Sequence, residues 1–144
     1  MNRQGASGAE LVVLFDGLCG MCTRWARTGE RLDGGRGRVR FVANQVPGVV
    51  EEHGLTRAMV DHQIWAFDRA GRATGGAQAV GAIAQVLAGS RQGCAGVLPR
   101  VLAWPGIVGV VDGVYQWVAR NRRHFPGATP WCTANPGGCG VHEA

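Results

Sequence analysis

Cys19 and Cys22 are separated by two residues, which is the spacing of a redox-active dithiol. Two thiols about one helical turn apart can close a small disulfide ring, and a cysteine at a helix N-terminus faces unpaired backbone N–H groups that stabilise its thiolate. We therefore predict that Cys19 is the exposed, attacking thiolate and that Cys22, one turn inside the helix, resolves the mixed disulfide. The predicted chemistry is thiol–disulfide exchange without a cofactor.

A carboxylate lies close to this pair in the sequence. Asp16 precedes Cys19 by three residues, and a negative charge so close raises the pKa of both thiols because like charges oppose ionisation. Two interpretations of Asp16 are open. It takes a proton from Cys22 or orients it by a hydrogen bond, or it forms an Asx turn before Gly17. We include Asp16 with the two cysteines as a candidate catalytic residue.

Apolar runs and helical periodicities predict the elements that position these residues. The apolar run at 11–15 predicts a strand buried on both faces. A helix is predicted from Cys19 to the glycine-rich segment at 34–37. Further strands are predicted at 39–42, 64–67 and 72–74, and further helices at 47–54, 56–60, 80–89 and 107–118. This order is that of the thioredoxin-like α/β fold, a small mixed sheet flanked by helices, here with a C-terminal helical extension.

Length and composition indicate one domain. The chain has 144 residues, of which 46% are hydrophobic and 17% charged, so it can bury one core of ordinary size and is unlike a disordered or coiled-coil protein. We predict a flexible leader at 1–10, the thioredoxin-like domain at 11–125, and an irregular Gly/Pro-rich tail with two cysteines at 126–144.

Charge and targeting signals exclude several classes of protein. All 15 basic residues are arginine, which excludes lysine Schiff-base chemistry. The arginines are scattered and carry no nucleic-acid-binding signature, so we predict no nucleic-acid partner. No apolar run approaches the roughly 20 residues that span a bilayer, so we predict no integral membrane segment. The first ten residues lack the apolar core of a secretory signal, and we therefore predict a cytoplasmic protein.

The block Phe15-Asp16-Gly17-Leu18-Cys19-Gly20-Met21-Cys22 resembles the D-G-x-C-x-x-C motif of the DCC-type thiol–disulfide oxidoreductases. Four further segments resemble the family's second strand with its polar end, its D-x-x-G-R hairpin, the helix start that follows, and a closing helix with A-R-N-R: 41–45, 68–72, 76–80 and 115–122. The resemblance implies a thioredoxin-like enzyme with Cys19 and Cys22 as the redox pair and Asp16 as the third motif residue. The implied partner is a protein or small-molecule disulfide or thiol.

The tail cysteines, Cys132 and Cys139, leave three interpretations open. They form a second dithiol that relays electrons to the first, they contribute to a metal site, or they have no role in an exposed tail. A non-catalytic module that binds or delivers a metal through the same thiols is therefore the alternative function.

We make weaker predictions for three further residues and for one helix. His62 stands in the region before the third strand where a typical thioredoxin carries a cis-proline, so we consider it a candidate to face the site. Trp25 and Trp65 are predicted to be core residues. The amphipathic helix that starts near Ile107 is predicted to pack on the domain.

Overall fold

A computed structural model describes residues 8–89 and 104–140 of the chain. Most of the predicted leader, Cys94 and the Gly- and Pro-interrupted stretch before residue 104 lie outside the described residues. The described elements, in chain order, are β1 (Leu11–Phe15), α1 (Gly20–Asp33), β2 (Val39–Ala43), α2 (Val49–Glu52), α3 (Arg57–His62), β3 (Trp65–Asp68), β4 (Ala73–Gly75), α4 (Gly76–Ala88), α5 (Pro105–Asn121), a 3₁₀ helix (Arg122–His124), α6 (Trp131–Ala134) and a second 3₁₀ helix (Pro136–Gly138).

Four strands form one mixed sheet in the order β2-β1-β3-β4. β1 and β2 are parallel, whereas β3 is antiparallel to both of its neighbours. Phe15 pairs with Ala43 and Leu14 pairs with Trp65, so the carboxyl ends of β1 and β2 and the start of β3 lie at the same end of the sheet. This architecture confirms the predicted small mixed sheet flanked by helices with a C-terminal helix, and it is consistent with the thioredoxin-like fold.

Apolar side chains cover both faces of the sheet. Leu11 and Val13 belong to the core that includes side chains of α4, whereas Val12 and Leu14 pack with side chains of α2 and α3. Because successive strand residues point to opposite faces, a strand covered on both sides needs an unbroken apolar run. The predicted burial of β1 on both faces is therefore confirmed.

The predicted hairpin between β3 and β4 is held by the first and last residues of the D-x-x-G-R segment. The Asp68 carboxylate accepts hydrogen bonds from the backbone N–H of Arg72 at 3.0 Å and from its Nε at 2.7 Å. The backbone N–H of Arg72 lowers the pKa of Asp68 below its usual value. Gly71 supplies the positive φ of 79° that the turn requires.

Helix α5 packs on the domain along one side only. The Tyr115 hydroxyl accepts a hydrogen bond from the backbone N–H of Ile64 at 3.0 Å, and burial raises the pKa of Tyr115. On the other side, Val110 and Val114 are 66% and 57% exposed. Within residues 8–89 and 104–140, no helix combines the length and apolar character needed to cross a membrane.

The prediction that Trp25 lies in the core is wrong, because its side chain is 67% exposed. Trp65 does pack against the core, as predicted. Helix α1 instead turns small residues, Ala26 and Gly29, towards the sheet. Phe41 of β2 fills the space at Gly29 and leaves no room for a large side chain on that face.

The C-terminal segment is more ordered than the predicted irregular tail. Residues 131–138 form two short helices, and Cys132 and Cys139 are joined by a disulfide with an S–S distance of 1.98 Å. These two residues are only 6% and 3% exposed, so the interpretation as an exposed tail is wrong. The domain boundaries themselves stay a prediction.

Two glycine-to-alanine substitutions test the close packing of α1 on β2. An alanine Cβ at Gly29 would lie 2.7 Å from Phe41 Cε2, whereas at Gly81 of α4 it would meet nothing within 4 Å. We expect Gly29→Ala to lower the free energy of unfolding by about 1–3 kcal/mol through overpacking, less whatever it gains in helix propensity. Gly81→Ala should raise the free energy of unfolding by about 0.5–1 kcal/mol. Denaturant unfolding measures both, and equal effects would contradict the close packing.

Candidate functional site

The motif loop joins the carboxyl end of β1 to the start of α1. The loop packs so tightly that Gly17 has no room for a side chain. A Cβ there would lie 2.8 Å from Ala43 Cβ and 3.1 Å from Cys132 Sγ. The glycine of the Asp-Gly pair is therefore required by close approach to β2 on one side and to the second disulfide on the other.

The two motif cysteines stand at the N-terminus of α1, as predicted. Cys19 is the N-cap residue in an extended conformation, and its Sγ accepts a hydrogen bond from the backbone N–H of Cys22 at 3.2 Å. The two sulfur atoms form a disulfide, and the two Cα atoms are 5.2 Å apart. Cys22 lies one turn inside the helix and packs against the cluster that contains Phe15 and Ala26.

The prediction that Cys19 is exposed is wrong, because the residue is only 8% exposed. The C-terminal segment runs alongside the motif loop. The backbone N–H of Ala128 donates to Gly20 O at 3.0 Å, and that of Cys132 donates to Gly17 O at 3.0 Å. The residues that cover the loop lie more than a hundred positions away in the sequence, so the local sequence pattern could not predict the burial of Cys19.

The Asp16 carboxylate is held by three donors. Its Oδ1 accepts from the backbone N–H of Leu18 at 3.0 Å and from Gln45 Nε2 at 2.9 Å, and its Oδ2 forms an ion pair with Arg122 Nη2 at 3.1 Å. The side chains of Arg122 and Asp16 are 17% and 16% exposed. The predicted Asx turn is therefore present, and both carboxylate oxygens have further partners.

The sheet topology and the closing helix bring these partners together. Gln45 follows β2 and Asp16 follows β1, and the carboxyl ends of parallel neighbours lie side by side. Arg122 follows α5 directly, and its Nη2 also donates to Asp61 O at 3.0 Å, ahead of β3. Gln45 and Arg122 were not among the predicted site residues, although both lie in segments that carry the family resemblance.

Gln45 links the motif loop to the second disulfide. Its side-chain Oε1 accepts from the backbone N–H of Gly17 at 2.8 Å and lies 3.8 Å from Cys132 Sγ. A second contact fixes the same C-terminal segment to α1, because the backbone N–H of Trp131 donates to Thr23 Oγ1 at 3.0 Å. Residues 127–132 are therefore part of the site.

The charges near the two cysteines come from the N-terminus of α1 and from the Asp16–Arg122 ion pair. The first turn of α1 contains no acidic residue, so its unpaired N–H groups are not neutralised within the helix. Asp16 contributes a negative charge near the cysteines, but the guanidinium of Arg122 is paired with it. The motif carboxylate therefore opposes thiolate formation less than an isolated carboxylate would.

Two further expectations concern His62 and a metal site. The His62 side chain is exposed and makes no hydrogen bond or ion pair with another described residue, and its facing the site stays a prediction. In the part of the chain that the structure describes, no three His, Cys, Asp or Glu side chains converge to hold a metal ion.

A double-mutant cycle measures the Asp16–Arg122 ion pair. We expect Asp16→Asn and Arg122→Gln to show a coupling free energy of roughly 1–3 kcal/mol in unfolding, because the pair is largely buried and each side chain makes further hydrogen bonds. The exposed pair Asp68–Arg72 serves as the matched control, and its coupling should be much smaller because solvent screens the two charges. Equal coupling free energies in the two cycles would show that the buried pair stabilises the fold no more than the exposed pair does.

The comparisons with known proteins agree with the geometry. Residues 13–128 match the DCC1-like thiol-disulfide oxidoreductase family. No curated protein and no solved structure matches the chain significantly. The family match spans most of the chain and includes both motif cysteines, the carboxylate before them and its arginine partner. The chain therefore belongs to the DCC1-like thiol-disulfide oxidoreductase family.

Proposed function

We propose that the chain is an enzyme that exchanges thiols and disulfides with a protein or small-molecule partner through Cys19 and Cys22. The observation that carries the proposal is the disulfide between these residues at the N-terminus of α1, in a chain of this family. That disulfide is the oxidised state of a two-electron couple. A cytoplasmic location and the absence of a nucleic-acid partner stay predictions.

The reaction runs in two exchanges from the reduced protein. The Cys19 thiolate attacks one sulfur of a partner disulfide, forms a mixed disulfide with it, and releases the other sulfur as a thiolate that takes a proton. The Cys22 thiolate then attacks Cys19 Sγ and releases the second partner thiol. The partner gains two electrons, and the protein is left with the Cys19–Cys22 disulfide. The reverse sequence oxidises a partner dithiol.

Two properties point to different sulfurs as the nucleophile. Cys22 retains more exposed surface than Cys19, which favours attack by Cys22. The N-cap position and the hydrogen bond from the Cys22 N–H favour a stable thiolate at Cys19. We assign the attack to Cys19 because a thiol reacts through its ionised form, which the helix N-terminus stabilises. A small motion of the backbone can expose Cys19, but no such motion would place Cys22 at the N-cap position.

Asp16 acts in this proposal as a positioning residue. Its two oxygens are engaged by Leu18, Gln45 and Arg122, so the carboxylate fixes the motif loop against β2 and the end of α5. Because both oxygens of this carboxylate already have partners, we give Asp16 the role of holding the loop and not of transferring a proton.

Cysteine variants test the assignment of the nucleophile. We expect Cys19→Ser to abolish reduction of a small disulfide such as hydroxyethyl disulfide, and Cys22→Ser to accumulate a mixed disulfide on Cys19, because the resolving thiol is missing. Mass spectrometry of the trapped species identifies the residue. Cys94→Ser, which removes a thiol outside the motif, should keep the activity. A mixed disulfide that forms on Cys22 in Cys19→Ser, at the wild-type rate of attack, would overturn the assignment.

The pH profile of Asp16→Asn distinguishes positioning from proton transfer. General-base catalysis accelerates a reaction about a hundredfold or more. If Asp16 were the base, the rate lost in Asp16→Asn would return at a pH where the thiol ionises without help. We expect instead that Asp16→Asn resolves the mixed disulfide roughly tenfold more slowly than the wild type, by the same factor from about pH 6 to about pH 9. Arg122→Gln should show the same pH profile. A deficit in Asp16→Asn alone that disappears at the higher pH would show a proton acceptor.

A further inference from the structure

Three arginines of α1 line a shallow cleft of about 220 Å³ together with two residues of the C-terminal segment. The arginines are Arg24, Arg27 and Arg31, and the opposite wall is formed by Gly127 and Ala128. We refer to these five residues as the arginine cleft. The redox mechanism proposed above does not use it.

The arginine cleft begins beside the redox pair. Its arginines occur at i, i+3 and i+7, so they share one face of the helix. Gly20 lies four residues before Arg24 on that same face and directly follows Cys19. The hydrogen bond from Ala128 N to Gly20 O at 3.0 Å places the far wall against the start of the helix. A substrate segment that extends along α1 from the sulfur bound to Cys19 therefore enters the arginine cleft.

The charges of the arginine cleft are not compensated. Among the described residues, none of its three guanidinium groups takes part in an ion pair or a hydrogen bond. The two acidic residues of α1 do not neutralise them. Asp33 is buried and paired with Arg38, and Glu30 is exposed without an ion pair to a described residue within 4.0 Å. The cleft thus carries three cationic side chains without a described partner, of which Arg24 and Arg31 are exposed and Arg27 is partly buried.

The wall opposite the arginines is fixed by close backbone packing. A Cβ on Gly127 would lie 2.5 Å from Met21 N, so only glycine allows the C-terminal segment to approach the first turn of α1 this closely. Downstream, the disulfide between Cys132 and Cys139 and the bond from Trp131 to Thr23 hold the segment in place. The cleft is therefore bounded by anchored backbone.

We propose that the arginine cleft binds carboxylates next to the reacting disulfide, so that the substrate is an anionic disulfide. The proposal rests on the exchange reaction at Cys19. Guanidinium groups bind carboxylates with paired hydrogen bonds and a full opposite charge. At a helical rise of about 1.5 Å per residue, Arg24 and Arg27 lie about 6 Å and about 10 Å along the axis from Gly20. An extended peptide advances about 3.3 Å per residue, so the carboxylate belongs two to three residues from the substrate cysteine.

A set of charge-matched peptides tests this proposal. Three peptides are identical except for a Glu, Gln or Lys three residues after their only cysteine, and each carries a 2-thiopyridyl group on that cysteine through a disulfide. Reduced protein attacks the peptide sulfur and releases thiopyridone, which is followed by its absorbance. Cys22 then attacks Cys19 Sγ and releases the peptide thiol, so two electrons pass from the protein to the peptide disulfide. The second-order rate constant of the first step is compared across peptides.

We expect the wild-type protein to react with the Glu peptide about two- to fivefold faster than with the Gln peptide at low salt, and with the Lys peptide more slowly than with either. About 0.5 M salt should remove the preference. The double variant Arg24→Gln/Arg27→Gln should lose it, so that its rate constants for the Glu and Gln peptides become equal. Arg69→Gln, in the hairpin at the opposite end of the sheet, removes one charge away from the cleft and should keep the preference.

Two results would overturn the arginine cleft as a substrate site while leaving the exchange reaction intact. One is equal rates for the Glu and Gln peptides with the wild-type protein. The other is a preference that falls as much in Arg69→Gln as in the double variant, which would show a general effect of net charge. Failure of all three peptides to react would overturn the proposed exchange at Cys19 itself, so the two failures are distinguishable.

Discussion

The ion pair between Asp16 and Arg122 is the interaction on which the rest of the site depends. It joins the motif loop to the end of the closing helix, and Gln45 extends the same network to β2 and to the second disulfide. Buried charges are tolerated when they are paired and hydrogen-bonded, and removal of one partner leaves the other without compensation. The network thereby fixes where α1 begins, and the start of α1 sets the environment of the two sulfurs.

Much of the fold follows from local pattern. The apolar run of β1, the glycine after α1 and the hairpin of Asp68 and Arg72 are features of neighbouring residues, and the structure confirms all three. The placement of Cys19 at a helix N-terminus belongs to the same class, because a short buried strand followed by helical periodicity leaves few other places for it. These features need no knowledge of distant contacts.

The parts that were missed depend on distant contacts. Trp25 is apolar, but Phe41 of β2 fills the space between α1 and the sheet and so determines which side chains of α1 can be buried. The low exposure of Cys19 and the burial of Cys132 depend on how a glycine- and proline-rich segment returns to the first helix. Arg122 belonged to a recognised motif, but its partner lies on a different element and no periodicity connects the two. Sequence pattern therefore identifies the reacting atoms better than the groups that hold them.

The bond from Trp131 to Thr23 spans 108 residues, so the site closes between two regions that are far apart in the chain. During synthesis the cysteine pair leaves the ribosome long before its covering segment has been made. Chains emerge at about 5–20 residues per second, which leaves the thiols open to oxidants and to other nascent chains for several seconds. The segment that covers the motif loop is made more than a hundred residues after the cysteine pair.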